Sequence, residues 1–215
     1  GGLGSDFNLS INGMSGNSIR YFLDGMPLDA KGSGVTLANL PPNIIDRIEI
    51  YKGVVPAHLG TDALGGAVNI ITNQQNKNFL DVAYSVSSFH THQFNFNAQY
   101  VEQKTGIFIK PVFSLNSSKN DYKVKNVEVW NESKGKYVYE EKKRFHDDYF
   151  SLLGQVEIGV TNKKWADAFC VTASYSKTDK ELQTGAIQSI VYGEAERKSY
   201  SKNISATYRK RNLIF

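Results

Sequence analysis

From residue 78 onward the side chains repeat every second residue, segment after segment. Leu80–Val86 places Leu80, Val82, Tyr84 and Val86 on one side. Gln93–Tyr100 sets Phe94, Phe96, Ala98 and Tyr100 against Gln93, Asn95, Asn97 and Gln99. Ile107–Leu115 shows the same period, although Phe108 and Val112 blur its polar side. Phe150–Val160, Phe169–Ser176 and Tyr200–Tyr208 repeat it, with Lys202 as an exception on the apolar face. A period of two belongs to strands with one apolar and one polar face. Six such segments of about nine residues match transmembrane β-strands. A soluble sandwich also alternates, but here Asn and Gln dominate one face and aromatics recur at strand ends on the other. That is the girdle pattern of a lipid-facing barrel.

Connection lengths support the barrel. Glu102–Gly106 and Thr161–Trp165 are tight turns, Ser87–His92 is short, and Arg209–Asn212 is a further turn. Asn116–Asp148 and Lys177–Lys198 are long excursions. Outer-membrane barrels combine short periplasmic turns with longer outer loops.

Residues 1–76 differ in composition. They hold 12 of the 18 glycines and four of the five prolines. Apolar strands are expected at Ile19–Leu23, Ile48–Val55 and Ala67–Thr72, and a helix entry at Leu40–Ile45, with Pro near its first position. This half reads as a small mixed α/β domain. The stretch Gly60–Thr72 (GTDALGGAVNIIT) brings Gly60, Gly65 and Gly66 before an apolar strand that contains one amide, Asn69. Glycines at such a turn permit positive φ or close backbone approach, and a buried Asn69 needs hydrogen-bond partners.

Other chemistries are weakly supported. The net charge is +4 and scattered, apart from Glu140–Arg144 and Arg209–Arg211, so no basic face suited to nucleic acid emerges. Cys170 is the single cysteine, which excludes an internal disulfide and a Cys-based zinc site. His90, His92 and His146 lack the further ligands a stable metal site needs. The glycine-rich stretch lacks the Lys-Ser/Thr of a phosphate loop. No nucleophile elbow or paired carboxylate suggests catalysis. Neither a catalytic residue, a metal nor a cofactor is expected.

Three motifs, in order, resemble TonB-dependent outer-membrane receptors. Gly13–Ser18 leads into Tyr21–Leu28 (YFLDGMPL), similar to the family's strand ending in Asp-Gly-x-Pro-Leu, with Asp24 and Gly25 at the turn. Ile45–Gly53 (IDRIEIYKG) is similar to Ile-Glu-Arg-Ile-Glu-Val-x-Arg-Gly, with Arg47, Glu49, Lys52 and Gly53 in register. His58–Thr72 follows. The resemblance implies an α+β plug over residues 1–76, truncated at its start, and the first six to seven antiparallel barrel strands over residues 78–215. The family barrel has about 22 strands around a plugged lumen. Most of the barrel, the first plug segment and the TonB box are then expected outside this chain, both of whose ends read as cut. A piece with two open strand edges is expected to aggregate outside detergent.

The resemblance also implies a function: energised import of a scarce nutrient across the Gram-negative outer membrane. The ligand would be a ferric siderophore, haem, cobalamin or an oligosaccharide, and TonB and membrane lipid would be partners. A passive porin or adhesin barrel is the alternative. The loop Leu28, Asp29, Ala30, Lys31, Gly32, Ser33 and Gly34 maps to the ligand-facing plug apex. The outer-loop aromatics Tyr122, Trp130, Tyr137 and Tyr139, with Phe145, would either contribute to ligand binding or pack their own hairpin. Two departures stand out. Family arginines that hold the plug to barrel carboxylates are replaced by Asn12 and Lys52, and neither offers a bidentate fork. The plug–wall lock is then expected to be either weaker here or built from other residues, such as Arg20 or Arg47.

Overall fold

The computed structural model describes residues 2–4, 10–28, 37, 40–56, 59–60, 65–73, 77–185 and 190–211. Among them two sheets face one another. The first is four-stranded, ordered β4-β3-β6-β5, from β3 (Ile19–Leu23), β4 (Met26–Pro27), β5 (Ile45–Tyr51) and β6 (Gly66–Thr72). A small hairpin of β1 (Ser10–Ile11) and β2 (Met14–Ser15) precedes it. The second is an antiparallel wall, ordered β14-β13-β12-β9-β8-β7. Its strands are β7 (Phe79–Ser87), β8 (Thr91–Val101), β9 (Ile107–Ser118), β12 (Tyr149–Thr161), β13 (Ala168–Glu181) and β14 (Glu196–Arg209). A separate hairpin of β10 (Lys123–Asn131) and β11 (Lys136–Lys143) rises between β9 and β12.

β6 lies at the centre of the small sheet, parallel to β3 and antiparallel to β5. Both of its edges are paired and residues 65–70 are all buried, which explains its continuous apolar run. Positive φ values at Asp24 (52°) and Gly25 (81°) close the two-residue turn between Leu23 and Met26, the backbone such hairpins favour. Gly66 has φ 124°, and a Cβ there would lie 2.5 Å from Tyr51 O. At Gly65 a Cβ would lie 2.9 Å from Ser18 O. Close backbone approach is therefore what requires glycine at both positions.

The wall follows the alternation. Leu80, Val82, Tyr84 and Val86 of β7 are exposed on its outward face, as are Ile107, Ile109, Val156, Ile158, Val171, Tyr200 and Ile204. Asn97, Gln99, Lys110, Ser114, Asn116, Ser151, Thr172 and Ser176 are buried on the inward face. At the short-turn end Tyr208 donates from its hydroxyl to Trp165 O at 2.7 Å, and Trp165 stacks obliquely on Phe169. Amphipathic rings at strand ends are the mark of a membrane interface.

The inward face is not wholly polar. Val112 and Leu153 are buried in one cluster with Leu23, Leu28, Leu40, Ile44 and Ile70 of the small sheet and its loops. Of the two apolar residues that blur the polar side of β9, Val112 is thus the wall's contact with the other sheet.

Several expectations need correction. Leu40–Ile45 forms a single 3-10 turn, Pro42–Ile44, running directly into β5, which ends at Tyr51 instead of Val55. The Asn116–Asp148 excursion contains a paired hairpin. β13 and β14 extend to Glu181 and from Glu196, which shortens the loop expected at Lys177–Lys198.

Candidate functional site

The two sheets meet at a polar junction at the end of β6. Asp24 accepts from Thr72 N at 2.9 Å and from Thr72 Oγ1 at 2.7 Å, so its carboxylate caps backbone, as turn aspartates do. Lys110, buried on the inward face of β9, donates from Nζ to Asn73 O at 2.9 Å and to Thr72 Oγ1 at 3.5 Å. Its register partner on β12 is Glu157. Asn97 of β8 reaches Asn43 O at 3.5 Å.

A second polar group lies on the face of the small sheet that carries Phe22 and Ala67. Asn69 Oδ1 accepts from Gly25 N at 3.0 Å, and its Nδ2 donates to Glu49 Oε2 at 3.3 Å. Tyr51 donates its hydroxyl to the same oxygen at 2.9 Å, and Arg47 bonds Glu49 Oε1 at 3.0 Å. The Tyr51 hydroxyl, followed by Arg47 and Asn69, holds the Glu49 carboxyl below its ordinary pKa despite partial burial. The same bond raises the Tyr51 pKa. Asn69 therefore has the partners its burial demands: it ties the β3–β4 turn to β5 across the central strand.

Arg47 also pairs with Asp46 at 3.1 Å. Among the described residues its ion-pair partners, Asp46 and Glu49, belong to its own strand, and the charged contact between wall and small sheet comes from Lys110 on the wall. Asn12, with φ 51°, and Lys52 are exposed. Gly53 and Gly60 adopt φ 101° and 93°.

At the long-loop end of the wall, buried Asn120 grips main chain. Its Oδ1 accepts from Leu3 N at 2.9 Å, and its Nδ2 donates to Leu3 O at 2.9 Å and to Asp147 O at 3.0 Å. Lys180 donates to Gly4 O. Neither Lys110 nor Asn120 emerged from the sequence. A lysine on the polar face of a strand and an asparagine in a loop carry no signal until the surface opposite is known.

The apex loop is represented by its foot. Leu28 is buried in the core, and its N donates to Tyr21 O at 2.8 Å. Asp29, Ala30, Lys31, Gly32, Ser33 and Gly34 lie outside the described residues. Among the outer-loop aromatics, Tyr122 packs obliquely on Phe89 and under the Arg144 guanidinium. Trp130 and Tyr137, opposite each other on the hairpin, meet edge to face at 5.1 Å. Tyr139 is 71% exposed. A cavity of about 440 Å³ lies between this hairpin and the next outer loop, lined by Val127, Trp130, Tyr137, Arg144, Phe145 and Val191 among others. The histidines have separate partners: Asp121 for His90, the Tyr84 hydroxyl for His92, and Glu181 with Ala195 O for His146.

Comparison with known proteins agrees with this geometry. The sequence model of the TonB-dependent Receptor Plug Domain matches residues 1–67. The vitamin B12 transporter BtuB of Vibrio vulnificus (strain CMCP6) is 33% identical over 72 residues, which is 34% of this chain and 12% of that protein. Among solved structures, Pseudomonas aeruginosa FpvA bound to a pyoverdine superposes with a TM-score of 0.62 at 13% identity, covering 94% of this chain and 26% of that one. The ferric yersiniabactin uptake receptor FyuA of Yersinia pestis gives 0.59 at 18% identity, covering 94% and 32%. The chain thus spans about a quarter to a third of those solved receptors and a smaller share of the B12 transporter. Residues 1–67 thus match the plug domain of TonB-dependent receptors, and the chain as a whole shares the fold of part of the solved outer-membrane receptors of that kind.

Proposed function

We propose that the protein to which this chain belongs imports a scarce nutrient across the outer membrane of a Gram-negative bacterium, by binding and gating without covalent chemistry. The observation that carries the proposal is the docking of the β3–β6 sheet on the polar inner face of the wall, through Lys110 on Thr72 and Asn73 and through Val112 and Leu153 on Ile70. An open pore has no use for a separate sheet sealed against its lining. Residues 1–76 act as the plug and residues 78–215 as the first barrel strands, with the outward apolar face in lipid. TonB grips a segment outside this chain. The loop 28–34 and the aromatics Trp130, Tyr137 and Tyr139 meet the ligand from the plug and outer-loop sides. The ligand class is a ferric siderophore, haem, cobalamin or an oligosaccharide.

The test is uptake of labelled candidates from these four classes by cells expressing the full-length receptor, with and without TonB. Binding without TonB, and accumulation only with it, is the expected result. Equal accumulation in both strains would show passive diffusion and refute the proposal. Deleting residues 127–139 should weaken uptake; unchanged uptake would remove the hairpin from ligand recognition.

A further inference from the structure

Lys110 is the one charged side chain among the buried inward-facing residues of β9. Burying an ammonium is costly unless it is paired and hydrogen-bonded. Glu157 sits opposite it in the wall register, and Asp24 of the plug lies behind the Thr72 hydroxyl that it bonds. Its Nζ crosses from wall to plug to donate to Asn73 O and Thr72 Oγ1. The Thr72 hydroxyl in turn donates to Asp24 Oδ2, so one continuous hydrogen-bonded path runs from β9 through β6 to the β3–β4 turn. The contact falls on the last residue of β6 and the one after it, a few residues before the chain enters the wall as β7. On the same side of the sheet, Ile70 packs with Val112 and Leu153.

We propose that Lys110 is the latch that keeps this side of the lumen closed, acting as a positioning residue through Thr72 and Asp24. The inference rests on the plugged-lumen reading above. Its charge sense is the reverse of a plug arginine bonded to a wall carboxylate: the cation belongs to the wall, and the plug supplies a carbonyl and a hydroxyl backed by a carboxylate. That reversal goes with Asn12 and Lys52 standing at the positions where the resemblance places arginines. Holding a main-chain oxygen and a hydroxyl needs a single flexible cation and no bidentate fork.

The experiment uses the purified full-length receptor in planar lipid bilayers, with conductance recorded as urea is raised, in the absence of TonB and of any ligand. Barrel folding is followed in parallel by the heat-dependent shift in gel mobility. Wild type is expected to stay closed at low urea. Lys110→Met should raise the open fraction at a fixed low urea concentration by about tenfold or more, as loss of a charge-assisted hydrogen bond implies, with the barrel shift intact. Lys110→Arg should remain closed. Asp24→Asn should open alone and add little to Lys110→Met, because both lie on one path. Thr72→Val breaks the path without touching the wall and serves if the Lys110 variant does not fold. Conductance like wild type in Lys110→Met, or in Thr72→Val in its place, refutes the latch, and so do additive effects. A wild-type receptor already open without urea refutes the plugged-lumen reading itself.

Discussion

Replacing Asn69 by leucine removes two hydrogen bonds and little volume, so its effect can be worked from the structure. The Gly25 N–H loses a buried acceptor at 3.0 Å, which costs about 1–3 kcal/mol when the donor stays unsatisfied. Glu49 loses one donor at 3.3 Å but keeps Arg47 and Tyr51, a loss of about 0.5–1.5 kcal/mol. The sum, about 2–4 kcal/mol, corresponds to about 30- to 700-fold in a local opening equilibrium. Hydrogen exchange of the full-length receptor in detergent should show that acceleration in peptides covering residues 19–28 and 66–73. Peptides from β12 and β13, which do not contact Asn69, should be unaffected. Asn69→Asp keeps the acceptor for Gly25 but sets a second carboxylate against Glu49, and should fall between. Exchange at residues 19–28 within about threefold of wild type would show that Asn69 does not hold the turn, and the reasoning from its burial would fail.

Further outcomes follow from other contacts. Gly66→Ala must adopt φ 124° with its Cβ 2.5 Å from Tyr51 O; a cost of about 2–4 kcal/mol should make β5 protease-sensitive, whereas Gly53→Ala, with open space around it, should cost only about 1–2 kcal/mol. Leu153→Ala leaves a cavity between wall and plug and should lower the urea midpoint of plug release by the equivalent of about 2–4 kcal/mol, with barrel heat-modifiability unchanged. Glu49 has a lowered folded pKa, so its contribution is complete above its ordinary value of 4.5 and is lost as pH falls through the lowered value. The melting difference between wild type and Glu49→Gln should therefore be constant from pH 7 to about pH 5 and shrink below it; a difference that persists at about pH 3 would contradict the assignment.

The wall was legible because its period is enforced by two different solvents. Leu80 to Val86 and Phe94 to Tyr100 face outward as the alternation requires, and the Asn and Gln positions of β8 face the plug. What alternation could not reveal was the exception: Val112 and Leu153 are apolar on the inward side because the surface opposite them is apolar, and that surface comes from a segment distant in sequence. The hairpin β10–β11 was hidden by its charges and by a register shift between Val124 and Val127, where Asn126 takes φ 57°. In the plug, the glycines and the Asp24–Gly25 turn were readable because backbone sterics are local. The helix entry expected at Leu40–Ile45 is held to one 3-10 turn, with Pro42 at its start, because Leu40 and Ile44 are drawn into the cluster with the wall while Ile45 starts a strand paired to β6. Lys110 and Asn120 acquire meaning only once their partners are seen.

Those partners share a property. Lys110 meets Asn73 O, Asn97 meets Asn43 O, Gln99 meets Lys77 O, Asn120 meets Leu3 N and O, and Lys180 meets Gly4 O. At each point the wall side chain holds an atom that every amino acid carries. Such a grip is indifferent to what the gripped residue is. Side chains at Asn43 and Asn73 can therefore change without losing these bonds, whereas Thr72, whose hydroxyl Lys110 also holds, and Gly4, where a Cβ would run into the Tyr149 ring, are fixed. Inheritance can then vary the two surfaces separately, and a lining of this kind is suited to receive plugs of diverged sequence.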